Sequence, residues 1–247
     1  MATATAEATS AALNPTPSTG SAGKPTLHHL NNSQSQRILW LLEELGIEYN
    51  VVNHKRKRGR APAELSKVHQ LGKSPTLVTS TGRVVVESTA VASYLIETYD
   101  TTGKFATRDP LRDEELTSFA GSSLGNVTAI ELLVDLLATV PPWPISWFLG
   151  TVRSQVQKTF TTAEFEKAMR FLESELGDQE WFNGENLGRS DIIISWPLDC
   201  IAGRKWVNFD KDYPKLAAWR KRVTERDAWK RGLEKGNGYD LSGVDQD

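Results

Sequence analysis

Thr26-Leu27-His28-His29-Leu30 reads as a short strand, Asn31-Asn32-Ser33 as a cluster able to cap a helix, and Ile38, Leu41, Leu42 and Leu45 recur at helical spacing up to Gly46. Gly46 is suited to close that helix, and Tyr49-Asn50-Val51-Val52 follows as a second strand. A strand, a full helical crossover and a second strand imply parallel pairing, so the chain opens with a βαβ unit. Working outward, Pro62-Ala63-Glu64-Leu65 starts a second helix and Gly72-Lys73-Ser74-Pro75 leads into Thr76-Leu77-Val78. Thr81-Gly82 then turns the chain into Val84-Val85-Val86, a hairpin signal. After Glu87-Ser88, the residues Val91, Tyr94, Leu95 and Thr98 mark a helix that runs out before Gly103. The order is βαβ-α-ββ-α over residues 24–103.

Beyond Asp109 no strand run stands out. Leu111 to Ala138, Phe165 to Leu176, Asp191 to Ala202 and Lys215 to Leu233 read as helices, so residues 109–236 are expected to form an all-helical second domain. Residues 1–23 hold Ala, Thr, Ser, Pro and Gly with one Glu and neither Lys nor Arg, which fits a disordered tail and neither a secretory signal nor a mitochondrial presequence. Residues 237–247 are expected to be a flexible tail.

With 29 Lys plus Arg against 31 Asp plus Glu, the net charge of -2 argues against a dedicated nucleic-acid binder. The single Cys200 excludes an internal disulfide and places the chain inside the cell. The 17 uncharged residues from Leu136 to Val152 approach the length of a membrane span, but Pro141, Pro142 and Pro144 interrupt them. Peripheral contact with a membrane surface stays open.

Three stretches, taken in order, carry a resemblance: Ser33-Gln34-Ser35-Gln36-Arg37-Ile38-Leu39-Trp40-Leu41-Leu42-Glu43-Glu44-Leu45, then Gly72-Lys73-Ser74-Pro75, then Glu87-Ser88. Followed by an all-helical half, they resemble the cytosolic glutathione transferases, nearest to the fungal and bacterial class whose first helix opens with a Ser four residues before Arg. The resemblance implies a thioredoxin-like α/β N-terminal domain, an all-α C-terminal domain, a homodimer in the cytoplasm, and an enzyme that uses glutathione as co-substrate in detoxification. No further cofactor and no metal is implied.

A Ser at a helix N-terminus stands among unpaired backbone donors and at the positive end of the helix dipole, so its hydroxyl can donate to a thiolate. Spacing within the motif assigns that catalytic role to Ser33, with Asn32 and Ser35 close enough to be the true donor instead. Ser74-Pro75 matches the family's cis-proline dipeptide, which implies that Ser74 pairs with the cysteinyl backbone of glutathione like an added strand. Glu87-Ser88 matches the pair that holds the γ-glutamyl end: Glu87 accepts from the ammonium and Ser88 donates to the carboxylate. Lys73 is placed to meet the glycine carboxylate, with Arg60 assisting. Arg60 belongs to the basic run Lys55-Arg56-Lys57-Arg58-Gly59-Arg60, which reads first as a solvated loop and otherwise as an attractor for anionic glutathione or a contact for an anionic membrane. Trp143, Trp147 and Phe148 stand where the family's second domain faces the thiol and are expected to hold a hydrophobic electrophile.

Two patterns are decoys. Gly121-Ser122-Ser123-Leu124-Gly125 fits a nucleophile elbow, but that motif needs a later histidine, and His28, His29, His54 and His69 all precede it. Cys200 lies in an apolar helix, away from the Asn31–Ser35 region where thiol oxidoreductases of related fold carry a cysteine. In the second domain, Gly188 stands where the family has a capping hydroxyl, and Asp191 keeps the other half of the capping box. The expected function is conjugation of glutathione to hydrophobic electrophiles, with reduction of hydroperoxides as a further use of the thiolate. The rivals are a carrier that binds the same ligands without turnover, and a protein-interaction module.

Overall fold

The structure is a computed structural model that describes residues 23–57 and 59–243. All but Gly23 of the tail expected at 1–23, together with Arg58 and residues 244–247, lie outside the described residues. The first domain has β1 (Thr26–Leu30), α1 (Gln36–Leu45), β2 (Asn50–His54), α2 (Glu64–Val68), β3 (Thr76–Val78), β4 (Val84–Val86) and α3 (Ser88–Tyr99). The sheet order is β2-β1-β3-β4, parallel between β1 and β2 and antiparallel across the other two pairs. It is the thioredoxin-like order that the sequence indicated.

The second domain is helical: α4 (Pro110–Ser118), a π-helical turn (Phe119–Ser123), α5 (Leu124–Thr139), α6 (Ile145–Val156), a second π turn (Gln157–Thr161), α7 (Thr162–Leu176), α8 (Arg189–Gly203), α9 (Phe209–Asp212), α10 (Pro214–Glu225) and α11 (Asp227–Lys235). Among the described residues no strand follows β4. Pro110–Thr139 is continuous helix and, by length and composition alone, could cross a membrane. Its buried face nevertheless carries Asp135, ion-paired with Arg153 (2.7 Å) and Arg204 (2.9 Å), and Glu131, which accepts from Thr161 (2.6 Å). Such ion pairs belong to a protein interior rather than to lipid. At Gly121 a Cβ would stand 3.3 Å from Thr89, so the small residues of the false elbow serve close packing against α3.

Two sequence expectations differ from the structure. The stretch from Lys215 to Leu233 is split into α10 and α11 at Arg226, which is extended (ψ 135°). Residues 237–243, expected within a flexible tail, instead run back over both domains: Asn237 donates to His54 O of β2 (2.8 Å) and Tyr239 Oη to Asp199 of α8 (3.0 Å).

α1 is the axis of the fold, because every residue from Gln36 to Glu44 is buried. One face packs on the sheet and α3, the other on α8 and α11; at Gly232 of α11 a Cβ would meet the Trp40 backbone nitrogen at 3.3 Å. A helix closed on all sides must neutralise its acids, and both are met by cations from the second domain. Glu43 pairs with Arg231 (2.8 Å) and Lys235, and Glu44 with Arg226 (2.9 Å) and with Lys104 from the linker. Burial works against ionising Glu44, yet hydrogen bonds from Arg226, Lys104 and Trp40 outweigh it and hold the carboxyl down to about 2 from 4.5. A depressed carboxyl stabilises the fold above its ordinary pKa and loses that stabilisation as the pH falls toward 2. Glu44→Gln is therefore expected to cost roughly 2 kcal/mol at neutral pH and to show a correspondingly smaller loss between pH 5 and 2 in thermal denaturation.

Candidate active site

The register of the sheet places the C-terminal end of β1, the start of β3 and the end of β4 at one edge, since His28 pairs with Thr76 and Thr76 with Val86. Three short segments leave the sheet there: Asn31–Ser35, Lys73–Pro75 and Glu87–Ser88. Ser33, Ser74, Pro75, Glu87 and Ser88 are thus brought together from positions far apart in the chain.

Ser33 is 4% exposed, and the N-cap of α1 is Ser35, whose side chain makes no capping hydrogen bond. Its hydroxyl donates to Leu30 O (2.7 Å) and accepts from the Ser35 N–H (3.2 Å), which fixes it at the mouth of α1. Asn32 adopts the left-handed conformation (φ 48°), tolerated by Asn, and turns the loop outward. Arg56 clasps this loop from the basic run: its N–H donates to Asn31 Oδ1 (2.7 Å) and its guanidinium to Asn31 O (3.3 Å) and Asn32 O (3.4 Å). Part of the run is thus structural, while Lys55, Lys57 and Arg60 are exposed and Arg58 is undescribed.

The Ser74-Pro75 peptide is cis. Ser74 Oγ donates to His28 O (2.9 Å), and Ser74 lies just before the first ladder pair of β3, which leaves its backbone at the open edge. Lys73 is exposed beside it. Glu87 has φ 67° and ψ 119°, a costly conformation for a side-chain-bearing residue that tends to mark ligand clamps. Its side chain is exposed, and Ser88, the first residue of α3, is buried behind it.

Sequence reasoning missed the residue that joins these parts. Arg37 is buried and donates to Ile193 O of α8 (2.6 Å), to Gln34 and to Ser88 Oγ, while Ser88 Oγ donates to Gln34 Oε1 (3.2 Å). The guanidinium stands 6.0 Å from the centre of the Trp196 ring. Burial lowers its pKa to about 10, so it stays charged at neutral pH. Its Nε has no hydrogen-bond partner, and the Glu87 carboxylate favours its charged form. A buried cation beside a helix N-terminus can receive an anion. The motif position of Arg37, four residues after Ser33, was the available signal.

A cavity of about 220 Å³ opens beside the Ser33 loop, lined by Asn32, Arg56, Leu132, Leu133 and Leu136 of α5, Trp196 and Cys200 of α8, and the segment 240–243. Arg204 anchors that segment by donating to Leu241 O (2.7 Å) and Gly243 O (2.6 Å), and Asp240 N–H donates to Asn32 Oδ1 (2.6 Å). Burial pushes the Cys200 thiol well above its ordinary range, so Cys200 is a wall and not a nucleophile. Trp143, Trp147 and Phe148 do not line this cavity: they sit at the α5–α6 junction, 80%, 68% and 60% exposed. A larger cleft near 820 Å³, between the domain linker and residues 178–190, holds none of the expected site residues.

Residues 33–98 match the family model of the glutathione S-transferase N-terminal domain, and residues 153–227 that of the C-terminal domain. The chain belongs to the glutathione S-transferase family. The transferase is 27% identical over 220 residues to glutathione S-transferase 1 of Saccharomyces cerevisiae, covering 85% of this chain and 94% of the relative. It is 28% identical over 212 residues to glutathione S-transferase 3 of Schizosaccharomyces pombe, covering 85% and 86%. Among solved structures, a glutathione S-transferase from Actinobacillus pleuropneumoniae superposes with a TM-score of 0.68 at 28% identity, over 88% of this chain and 95% of that one. The transferase also shares its fold with Ure2p5 of Phanerochaete chrysosporium, crystallised with 1-(S-glutathionyl)-2,4-dinitrobenzene (TM-score 0.66, 24% identity, 85% and 93% covered).

Proposed function

We propose that the transferase binds glutathione along the sheet edge, lowers its thiol pKa with Ser33, and adds the thiolate to a hydrophobic electrophile held in the cavity beside Asn32. The observation that carries this reading is the convergence of Ser33, Ser74-cis-Pro75 and Glu87-Ser88 on one edge. The γ-glutamyl carboxylate takes the Ser88 hydroxyl, backed by Arg37, and its ammonium takes Glu87. Ser74 pairs with the cysteinyl backbone, and Lys73 and Arg60, both exposed and unburdened by burial, meet the glycine carboxylate.

The chemical step needs an anion and a nearby acceptor. Rotating the Ser33 hydroxyl from Leu30 O to the sulfur stabilises the thiolate against the thiol, whose free pKa is about 8.5. The sulfur then forms a bond to the electrophilic carbon, and the leaving group departs with its electron pair. Leu132, Leu133, Leu136 and Trp196 hold the acceptor apolar face inward, so the barrier falls by proximity. These leucines take the place that the sequence reading gave to Trp143, Trp147 and Phe148. What supports Ser33 over Ser35 is that the Ser35 hydroxyl is fully enclosed by His29, Leu30 and Ser33.

The test is the thiolate absorbance of bound glutathione across the pH range, in the wild type and in Ser33→Ala. The wild type is expected to depress the thiol pKa by about 1 to 2, worth about 1.4 kcal/mol for each unit, and Ser33→Ala to return it toward the free value. Binding with no depression in the wild type would make the protein a carrier.

A further inference from the structure

His29 is fully buried one residue before the end of β1 and has no place in the chemistry described so far. Its Nδ1 lies 2.6 Å from Ser35 Oγ, which lies 3.0 Å from Ser33 Oγ, which donates to Leu30 O at 2.7 Å. We propose that His29 and Ser35 form a hydroxyl relay that aims the Ser33 hydroxyl and strengthens it as the donor to the glutathione thiolate. The proposal rests on the reading of Ser33 given above.

Proton placement follows from counting donors and acceptors. Ser35 Oγ already accepts the Leu30 N–H (3.2 Å), and Ser33 Oγ already accepts the Ser35 N–H (3.2 Å). If His29 carries its proton on Nδ1, the chain runs His29 Nδ1–H to Ser35 Oγ, Ser35 O–H to Ser33 Oγ, and Ser33 O–H to Leu30 O, and every donor is used. The other tautomer puts the proton on Nε2, which is buried and has no hydrogen-bond partner, so a donor is orphaned. The tautomer is thus assigned by the network. Burial, and then the charge of His54, push the pKa of His29 to about 4, which keeps the ring neutral over the working range. His54 lies in β2; a Cβ at Gly236, just beyond α11, would approach Nε2 to 3.2 Å, which closes the far side of the ring.

All hydrogen bonds in the relay point the same way, toward Ser33. An oxygen that accepts two bonds donates a stronger one, because successive dipoles polarise each other in a low-dielectric interior. When the Ser33 hydroxyl turns from Leu30 O to the sulfur, the two donors behind it stay in place. No proton travels along the relay, and His29 acts only through Ser35 and Ser33, as a positioning residue.

The experiment measures the pKa of the bound glutathione thiol, and the KM for glutathione, in His29→Phe, His29→Asn, Ser35→Ala, Ser33→Ala and the His29→Phe/Ser33→Ala double variant. His29→Phe and Ser35→Ala are expected to raise the thiol pKa by about 0.5 to 1, a threefold to tenfold smaller thiolate fraction below the pKa, with KM within about twofold of wild type. His29→Asn offers an amide N–H near the Nδ1 position and is expected to restore at least half of the shift. In the Ser33→Ala background His29→Phe is expected to add nothing. A thiol pKa unmoved by both His29→Phe and Ser35→Ala, or an equal shift in the Ser33→Ala background, overturns the relay while the Ser33 assignment stands. If Ser33→Ala itself leaves the thiol pKa unchanged, the Ser33 assignment fails and the relay falls with it. Should His29→Phe fail to fold by thermal denaturation, Ser35→Ala and His29→Asn decide the outcome.

Discussion

Asp191→Ala is expected to lower the stability of the transferase by about 3 to 5 kcal/mol, a drop in Tm of roughly 10 °C for a chain of this size. Asp191 is completely buried in the first turn of α8 and accepts from three donors: Phe182 N–H (3.0 Å), Gly188 N–H (2.9 Å) and Trp219 Nε1–H (2.7 Å). It therefore ties the turn before α8, the helix itself and α10 at one point. Truncation leaves all three donors in an interior closed to water, which is costlier than the loss of three hydrogen bonds at a surface. Burial pushes the carboxyl up to about 6 against the pull of those donors. A raised carboxyl contributes its full share below the ordinary value of 3.8 and loses it as the pH climbs through 6. Asp191→Asn, which keeps one acceptor oxygen, is expected to fall between Ala and wild type and to lack that loss between pH 4 and 6. Installing the hydroxyl half of the capping box does not help: a Cβ at Gly188 would stand 2.5 Å from Asn183 Cβ. Gly188→Thr is expected to destabilise as well, by about 1 to 3 kcal/mol in urea denaturation, and an increase in stability would contradict the close packing at this turn.

Arg37→Met carries the second large effect, on binding. The substitution keeps an apolar stem of similar length and removes the charge that backs Ser88 and bonds Ile193 O. With the proposed support for the γ-glutamyl carboxylate gone, KM for glutathione is expected to rise at least tenfold and kcat/KM to fall about a hundredfold, near 3 kcal/mol. The thiol pKa of whatever glutathione still binds is expected to stay near the wild-type value, since Ser33 is untouched. Arg37→Lys is expected to recover little, because a single ammonium cannot reproduce the fork that reaches Ile193, Gln34 and Ser88 together. Saturation kinetics at several glutathione concentrations separate this from a folding defect.

The first domain was legible in the sequence because its signals are local. The alternation of strand, helix and turn residues from Thr26 to Thr98 sets each element within a few residues of where it forms, and the dipeptides Ser74-Pro75 and Glu87-Ser88 mark two corners of the candidate site. The second domain was less so. α6 carries Ile145, Phe148, Leu149, Val152 and Val156 at helical spacing but buries none of them, and Pro141, Pro142 and Pro144 just before it read as an interruption rather than as the start of a helix. The break at Arg226 has no Pro or Gly to signal it, and its guanidinium is held by Glu44, 182 residues earlier. Arg37 stood in the motif without an assigned role, since its contacts arise only where α1 meets the β4–α3 corner and α8. The aromatic run at Trp143 drew attention by composition, while the cavity is walled by leucines of α5 that differ in nothing but position.

The segment 237–243 has a consequence for divergence between related enzymes. Asn32, at the mouth of the cavity proposed to hold the acceptor, is spanned on one side by Gly238 O and on the other by Asp240 N–H, so the outer boundary of that cavity is a stretch of chain and not a helix. Changes in residues 240–243 can reshape that boundary while α1, α5 and α8 keep their packing. Loops tolerate insertion and substitution far better than a helix buried on every side. On the proposed reading, acceptor range and fold stability are thus written in different parts of this chain.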